Sequence, residues 1–196
     1  MKASLVSSMS PVDNNKTHSN LPRSVVLLFA IASGASVANV YYAQPLLDIL
    51  ASDFNVSHAA IGGVVTATQI GCALALVFLV PLGDLINRRR LMTLQLLALI
   101  SALLMVAFAH STIILLTGML AVGLLGTAMT QGLIAYAASA AAPHEQGHVV
   151  GTAQSGVFIG LLLARVFSGG ISDIGAMYYI FALTILAFVT AFVFWN

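Results

Sequence analysis

The chain has 196 residues, of which 60% are hydrophobic and only 7% are charged. A soluble domain carries about 25% charged residues, so this composition excludes a water-soluble globule and predicts a protein whose surface faces the lipid bilayer. The formal net charge is +1, and without a basic tail the chain is not expected to bind nucleic acid.

Continuous apolar runs predict that the membrane-spanning segments are helices. In lipid every backbone N–H and C=O group must be paired inside the protein, which leaves only helices and closed barrels, and a barrel would show alternating polar and apolar residues. Each run holds the roughly 17–25 residues that cross the hydrocarbon core. Six spans are predicted, at 24–44, 59–82, 91–109, 113–138, 149–171 and 177–194. The predicted fold class is an all-α integral membrane protein.

Polar segments separate the spans and set the domain boundaries. Residues 1–22 are rich in serine and asparagine and predict a disordered cytoplasmic tail, whereas residues 23–196 predict one six-span membrane domain. Segment 46–50 predicts a short amphipathic helix at the membrane surface. Ser111 or Thr112 is the expected N-cap of the fourth span.

The positions of lysine and arginine predict the orientation of the chain in the membrane. With the N-terminus in the cytoplasm, all but one of the seven basic residues lie inside, at Lys2, Lys16, Arg23, Arg88, Arg89 and Arg90. The predicted outer connections, at 45–58, 110–112 and 172–176, contain no lysine or arginine. Because cytoplasmic loops carry an excess of these residues, the sequence predicts a cytoplasmic N-terminus.

A faint internal repeat relates the first three spans to the last three. Asp84 follows the second span and Asp173 follows the fifth, an offset of 89 residues (173 − 84), and the first and fourth spans start at about the same offset. Three is an odd number of spans, so the matching loops lie on opposite faces of the membrane. The pattern predicts a 3+3 inverted repeat, the arrangement from which many transporter halves are built.

The densest cluster of charge connects the second and third spans. This segment, 81–90, contains a glycine, an aspartate and three arginines, at Gly83, Asp84, Arg88, Arg89 and Arg90. In this order and place the residues resemble the signature loop of the major facilitator superfamily. Aligned on Asp84, the chain departs from that loop with Val80 and Asn87 in place of two glycines and with Leu85 in place of a basic residue.

Other stretches resemble one bacterial branch of that family, the proton-linked efflux permeases for sugars or drugs. These stretches are segments 39–47, 68–71, 78–84, 162–165 and 168–169. The resemblance covers nearly all of the chain after residue 20 and matches the N-terminal six-helix half of a twelve-helix transporter fold. It implies a multi-pass protein of the bacterial inner (plasma) membrane that moves a small-molecule substrate by alternating access.

The signature loop of the family latches the cytoplasmic ends of helices across the two halves of the transporter. The resemblance therefore implies a gating role for Gly83, Asp84 and the three arginines, which would pair with acidic groups or lipid phosphates. The alternative is that Arg88, Arg89 and Arg90 serve only as a topology anchor.

Uncharged polar residues within the spans are the candidates for substrate binding. Asn39 and Tyr42, three residues apart, share one helical face, and Gln69 and Gln131 lie in the second and fourth spans. The resemblance implies that the first and fourth spans line the central cavity, which makes Asn39, Tyr42 and Gln131 the principal candidates. The alternative is that these side chains form interhelical hydrogen bonds that hold the bundle together.

Arg165 is the charged residue with the highest expected insertion cost. An arginine at the centre of a span costs roughly 2.5–3.5 kcal/mol on insertion scales, and Arg165 would lie toward the outer end of the fifth span. One interpretation is that it faces the cavity, where it binds an anionic group of the substrate or pairs with Asp48 of the first outer connection. The other is that its side chain extends to the lipid headgroups.

The predicted function is a secondary active transporter of the efflux type, coupled to protons. Six spans are half of the family fold, so the expected partner is a second half-transporter or another copy of the chain. The alternative is a truncated membrane protein that does not transport. An enzyme is not expected, since the spans lack an acidic pair and a nucleophile–base set. With Cys72 as the only cysteine, neither a metal site nor a cofactor is predicted.

Overall fold

The computed structural model describes residues 21–44, 47–54 and 57–170, whose regular secondary structure is helical. The α-helices are α1 (Arg23–Tyr41), α2 (Leu47–Asp53), α3 (His58–Leu74), α4 (Val80–Leu85), α5 (Arg88–Ala107), α6 (Thr112–Ala140) and α7 (Gln146–Gly170). A π-helical segment, Ala75–Leu79, joins α3 to α4. The predicted sixth span at 177–194 and nearly all of the predicted tail lie outside the described residues.

Five helical stretches in the described part of the chain are long and apolar enough to cross a membrane. They are Arg23–Tyr41, Ile61–Gly83, Arg90–Ala107, Thr112–Ala140 and Gln146–Val166. These stretches confirm that the first five predicted spans are apolar helices of membrane-crossing length. The predicted cap of the fourth span is also confirmed, since the Ser111 hydroxyl accepts a hydrogen bond of 3.4 Å from the backbone N–H of Ile114, one of the amides that a helix start leaves without an internal partner.

The second span contains a proline, and the π-helical segment accommodates it. A proline inside a helix removes one hydrogen bond, and its ring clashes with the carbonyl four residues earlier, which for Pro81 belongs to Val77. Immediately before the proline, the N–H of Val80 bonds to the carbonyl of Ala75, five residues back. The wider turn leaves room for the ring, so the helix continues through Pro81 instead of ending there.

This continuation corrects the predicted boundary of the charged segment. Gly83 and Asp84 were expected in a loop, but they belong to α4, which ends at Leu85. The three arginines form the first turn of α5, so only Ile86 and Asn87 connect the two helices. The physical reason is that a helix pairs its own backbone groups inside the membrane, and a two-residue connection leaves the fewest of them unpaired.

Glycines bring the backbones of α1 and α7 into contact. A Cβ atom at Gly34 would overlap the carbonyl oxygen of Gly156, and one at Gly156 would overlap the carbonyl oxygen of Ala30. One turn further along α7, a Cβ atom at Gly160 would overlap the carbonyl oxygen of Gly34. In lipid, helices associate through close van der Waals packing of this kind, so these glycines hold the first and fifth spans together.

A second glycine contact joins α3 to α6. A Cβ atom at Gly71 would overlap the carbonyl oxygen of Leu120, and one at Gly123 would overlap that of Thr68. The contacting glycines are related by a fixed offset along the chain. Gly123 follows Gly34 by 89 residues (123 − 34), and α6 likewise begins 89 residues after α1 (112 − 23). The same offset separates Gly160 of α7 from Gly71 of α3 (160 − 71).

Buried apolar side chains form two clusters along α6. The first cluster lies around the N-terminal half of α6 and includes Leu99, Leu115 and Val122. The second lies around its C-terminal half and includes Phe29 and Leu133. The segment of α6 between the two clusters carries Gly123 and Gly126. The middle of the bundle is therefore built from small and polar residues, and it separates two apolar ends.

Candidate functional site

Buried polar side chains concentrate on the helices that meet in the middle of the bundle. Outside α5, they are Ser33, Ser36, Asn39, Thr68 and Thr130. We call these five residues the polar layer. Three lie on α1, and α1 approaches α6 closely there, since a Cβ atom at Gly126 would lie 2.6 Å from the Cγ2 atom of Val40. A water-excluded layer of polar groups between membrane-length helices is where small polar groups of a substrate could be bound.

Three residues of the polar layer are hydrogen-bonded within their own helices. The Asn39 amide donates to the carbonyl of Ala35 at 2.9 Å, and the hydroxyls of Thr68 and Thr130 donate at 2.8 Å to carbonyls one turn earlier, those of Val64 and Gly126. A group bonded to its own helix keeps its partner when one helix slides past another. These bonds are therefore compatible with relative movement of the spans.

Ser33 is not hydrogen-bonded in this way, and it is not among the site residues that the sequence predicts. Its side chain is fully buried, and its Oγ atom is the one buried side-chain polar atom without a hydrogen-bond partner among the residues that the structure describes. Leaving a buried hydroxyl unsatisfied costs about 1–3 kcal/mol. The sequence did carry a signal, because Ser33, Ser36 and Asn39 recur every third residue along one side of α1.

The predicted substrate residues fall in different environments. Asn39 is 9% exposed and belongs to the polar layer, whereas Gln131 is exposed on α6. Tyr42 follows the last residue of α1 and packs, half-buried, against the first apolar cluster. Gln69 is exposed, and it lies two residues from Gly71, which faces α6. Two residues are 200° of helical rotation, so Gln69 lies on the side of α3 turned away from α6.

Arg165 and Asp48 lie near the same end of the bundle. Asp48 is exposed in the first turn of α2, and Arg165 is exposed in the last two turns of α7. Because α1 and α7 run side by side with their N-termini at one end, the C-terminus of α7 and the segment after α1 share the other end. This placement suits the predicted ion pair, which stays a prediction.

The charged segment ties α5 to α6 through Arg88. The Arg88 guanidinium donates to the carbonyl of Ala135 at 3.2 Å and to the Ser139 hydroxyl at 3.0 Å. Both acceptors lie near the C-terminus of α6, where the helix dipole favours a cation. The structure describes the backbone of the predicted latch residues Asp84 and Arg89 but not their side chains. Gly83 lies in α4, beside Leu91 of α5.

Replacing Arg88 with glutamine is expected to lower the stability of the chain by about 1 kcal/mol, because two hydrogen bonds from a charged donor are lost at a partly exposed site. Arg90→Gln is the matched control, since Arg90 is exposed in the same turn of α5. The midpoint of thermal unfolding in detergent measures both effects. Equal midpoints for the two variants would contradict the role given to Arg88.

A second tie at this end joins the start of α1 to the turn before α7. The Glu145 carboxylate accepts a hydrogen bond of 3.3 Å from the backbone N–H of Leu21. Together with Arg88, this contact brings the beginning of α1, the connection between α4 and α5, and the connection between α6 and α7 to one end of the bundle. That end is the one for which the distribution of arginines predicts a cytoplasmic location.

Comparison with known proteins gives a family match and several relatives. The sequence model of the Major Facilitator Superfamily matches residues 27–196. Escherichia coli strains K12 and O157:H7 each have a protein named YgaY, described as an uncharacterized transporter, that is 40% identical over 166 residues. A Streptomyces coelicolor protein named "Probable transporter SCO4007" is 41% identical over 64 residues, which are 33% of this chain and 15% of that protein.

The YgaY proteins are much longer than the matched region. The match covers 85% of this chain but 42% of each YgaY protein. The chain therefore spans less than half the length of these two relatives.

Proposed function

The chain belongs to the major facilitator superfamily, and we propose that it forms a six-helix half of a secondary transporter that exports a small molecule by alternating access. The observation that carries the proposal is the family match over residues 27–196, which covers almost all of the five membrane-length helices. The relatives named as transporters support it.

The six helices are proposed to form a 3+3 inverted repeat. In such a repeat, spans one, two and three correspond to spans four, five and six, respectively. Span one therefore corresponds to span four, and span five corresponds to span two. It follows that the contact between spans one and five should be repeated between spans four and two. These two pairs, α1 with α7 and α3 with α6, are the ones in which a Cβ atom added at a glycine would overlap a backbone carbonyl oxygen of the facing helix. The shared offset of 89 residues between the contacting glycines supports the same correspondence.

The end of the bundle that carries Arg88 and Glu145 is proposed to be cytoplasmic, in the inner membrane of a bacterium. The excess of arginine at this end supports that orientation, and it places the tail before residue 23 in the cytoplasm. The segment with Gly83, Asp84, Arg88, Arg89 and Arg90 is the proposed gate. Since Arg88 already binds the end of α6, a movement of α6 would be transmitted directly to α5 and its arginines.

The substrate is proposed to contact the polar layer and the exposed polar groups nearest to it. Asn39 and Gln131 on α1 and α6 are the principal contacts, with Tyr42, Gln69 and Arg165 toward the edges of the path. Ser33 joins this set, since its hydroxyl lacks a partner in the described conformation. Separation of α1 from α6 would expose that hydroxyl to water or substrate. A hydrogen bond formed there would remove the free-energy penalty of its unsatisfied burial.

Alternating access needs two six-helix units that rock around a central site. The second unit is proposed to be another six-helix half or a second copy of this chain. Coupling to protons and the direction of transport are proposed from the resemblance of segments 39–47, 68–71 and 78–84 to proton-linked efflux permeases.

Cysteine accessibility tests alternating access without knowledge of the substrate. Because Cys72 is the single cysteine, the Cys72→Ser variant is a background for single-cysteine variants. The Gln131→Cys variant is expected to react with a membrane-impermeant maleimide both in intact cells and in inside-out vesicles. Gln131 lies nine residues from the C-terminus of α6, about 14 Å along the helix, so reaction from both faces requires that the path opens to each side in turn.

Three control variants calibrate the experiment. His110→Cys, between α5 and α6, is expected to react only in intact cells, and His144→Cys, before α7, only in inside-out vesicles. Ala153→Cys is expected to be unreactive, since Ala153 is fully buried. If the Gln131→Cys variant reacts from one face only while the controls behave as expected, the chain does not alternate, and the non-transporting alternative is favoured.

A further inference from the structure

The exposed residues of α5 form a single stripe that begins with an arginine. Beyond Arg90, the stripe contains Leu94, Leu97, Ser101 and Met105, at intervals of three or four residues, and all are exposed in the described chain. The residues on the opposite side of the helix are buried, among them Met92, Leu99, Ala102, Leu103 and Val106. One side of α5 therefore packs against the other helices, and the opposite side is an exposed apolar surface with an arginine at one end.

Arg88 and Arg90 point in opposite directions. Two residues are 200° of helical rotation, and Arg88 binds the end of α6 on the buried side. Arg90 is exposed at the head of the apolar stripe. α5 has 20 residues and so is about 30 Å long, which equals the thickness of the hydrocarbon core. A helix of this length that spans the core would place its third residue close to the lipid headgroups.

The charge at this end of α5 favours an anion. Three successive arginines open the helix, and its first turn contains no acidic residue. Cations near a helix N-terminus are unfavourable by a few tenths of a kcal/mol or more each, and an anion at that position removes the penalty. A guanidinium group binds the two oxygens of a phosphate through parallel hydrogen bonds. A net-negative headgroup fits better than a zwitterionic one, which would bring a second cation close to the arginines.

From this arrangement we propose that α5 binds an anionic phospholipid at the cytoplasmic surface, with the phosphate on Arg90 and an acyl chain along the stripe from Leu94 to Met105. The arginine and the apolar stripe follow each other along α5, just as the phosphate and the acyl chain of a phospholipid follow each other along the membrane normal. One lipid molecule can therefore contact both. This site is separate from the polar layer, although it shares Arg90 with the proposed gate, and lipid binding can be measured without transport.

Native mass spectrometry of the purified full chain with equal amounts of phosphatidylglycerol and phosphatidylcholine tests the site. The wild-type chain is expected to retain phosphatidylglycerol preferentially. Arg90→Gln should reduce that preference about fivefold, which corresponds to the ~1 kcal/mol that one arginine contributes near an anionic surface. Arg23→Gln is the matched control, because Arg23 is an exposed arginine in the first turn of α1. Unchanged preference in Arg90→Gln, or an equal loss in Arg23→Gln, would overturn the proposal.

A second measurement asks what covers the stripe. In the Cys72→Ser background, a fluorophore attached to the Ser101→Cys variant is expected to be quenched by brominated phosphatidylglycerol in reconstituted vesicles, because Ser101 lies in the middle of the stripe. The Ala153→Cys variant, at a fully buried position, is the control for a site closed to lipid. Absence of quenching at position 101 would show that another protein unit covers α5 and would overturn the lipid site.

Discussion

Gly156→Ala is expected to destabilise the chain by about 3 kcal/mol, the upper end of the usual cost of overpacking. The added methyl group would overlap the backbone of α1 at Ala30, including its carbonyl oxygen, Cα and carbonyl carbon. Side chains can rotate away from an added group, but a backbone in the middle of a helix cannot. The two helices would have to move apart, and the close approach of Gly34 to the carbonyl oxygen of Gly156 would be lost as well.

Gly151→Ala is the matched control for this prediction. Gly151 lies in the same helix five residues earlier, and a Cβ atom there meets nothing within 4 Å. Alanine at that position should be neutral or stabilising by up to ~1 kcal/mol, because it restricts the unfolded chain and favours the helix. The midpoint of unfolding in a titration with a denaturing detergent measures both variants. If both retain the wild-type midpoint, the close approach of α1 and α7 is not what stabilises the bundle.

The sequence was sufficient to predict the first five spans, because each is an apolar run of the length that crosses a bilayer. It was not sufficient at the charged segment. Asp84 and Pro81 are ordinary signals for the end of a helix, but the π turn at Ala75–Leu79 absorbs the proline and α4 continues to Leu85. A π turn depends on hydrogen bonds between residues five apart and leaves no distinctive pattern of polar and apolar residues, so periodicity cannot reveal it.

The candidate site was only partly predictable for a related reason. Asn39 is recognisable because an amide is rare in a span, whereas Ser33 resembles the small residues that pack helices in lipid. Only its burial and its unpartnered hydroxyl set it apart. In the same way, three adjacent arginines predict the orientation of the chain in the membrane. They do not predict that Arg88 contacts Ser139 while Arg90 is exposed, because this depends on the residue at which α5 begins. That residue became known only from the structure.

The proposed inverted repeat predicts how four glycines, which form two pairs, respond to substitution. Gly71 and Gly160 are 89 residues apart (160 − 71), and Gly62 and Gly151 are separated by the same offset (151 − 62). The first pair is in backbone contact with a neighbouring span, and the second pair has open space where a Cβ atom would be. Corresponding positions of a repeat should therefore respond alike to substitution.

Alanine at Gly71 is expected to destabilise the chain by about 1–3 kcal/mol, and alanine at Gly160 by a similar amount, since each added methyl group would overlap a carbonyl oxygen of the facing helix. Alanine at Gly62 or Gly151 should leave the free energy of unfolding unchanged or raise it by up to about 1 kcal/mol. Detergent-denaturation titrations of the four variants provide the comparison. A large loss at Gly71 with none at Gly160 would mean that the two glycine contacts are not equivalent. The shared offset would then not reflect a structural repeat, although the membership of the family would stand.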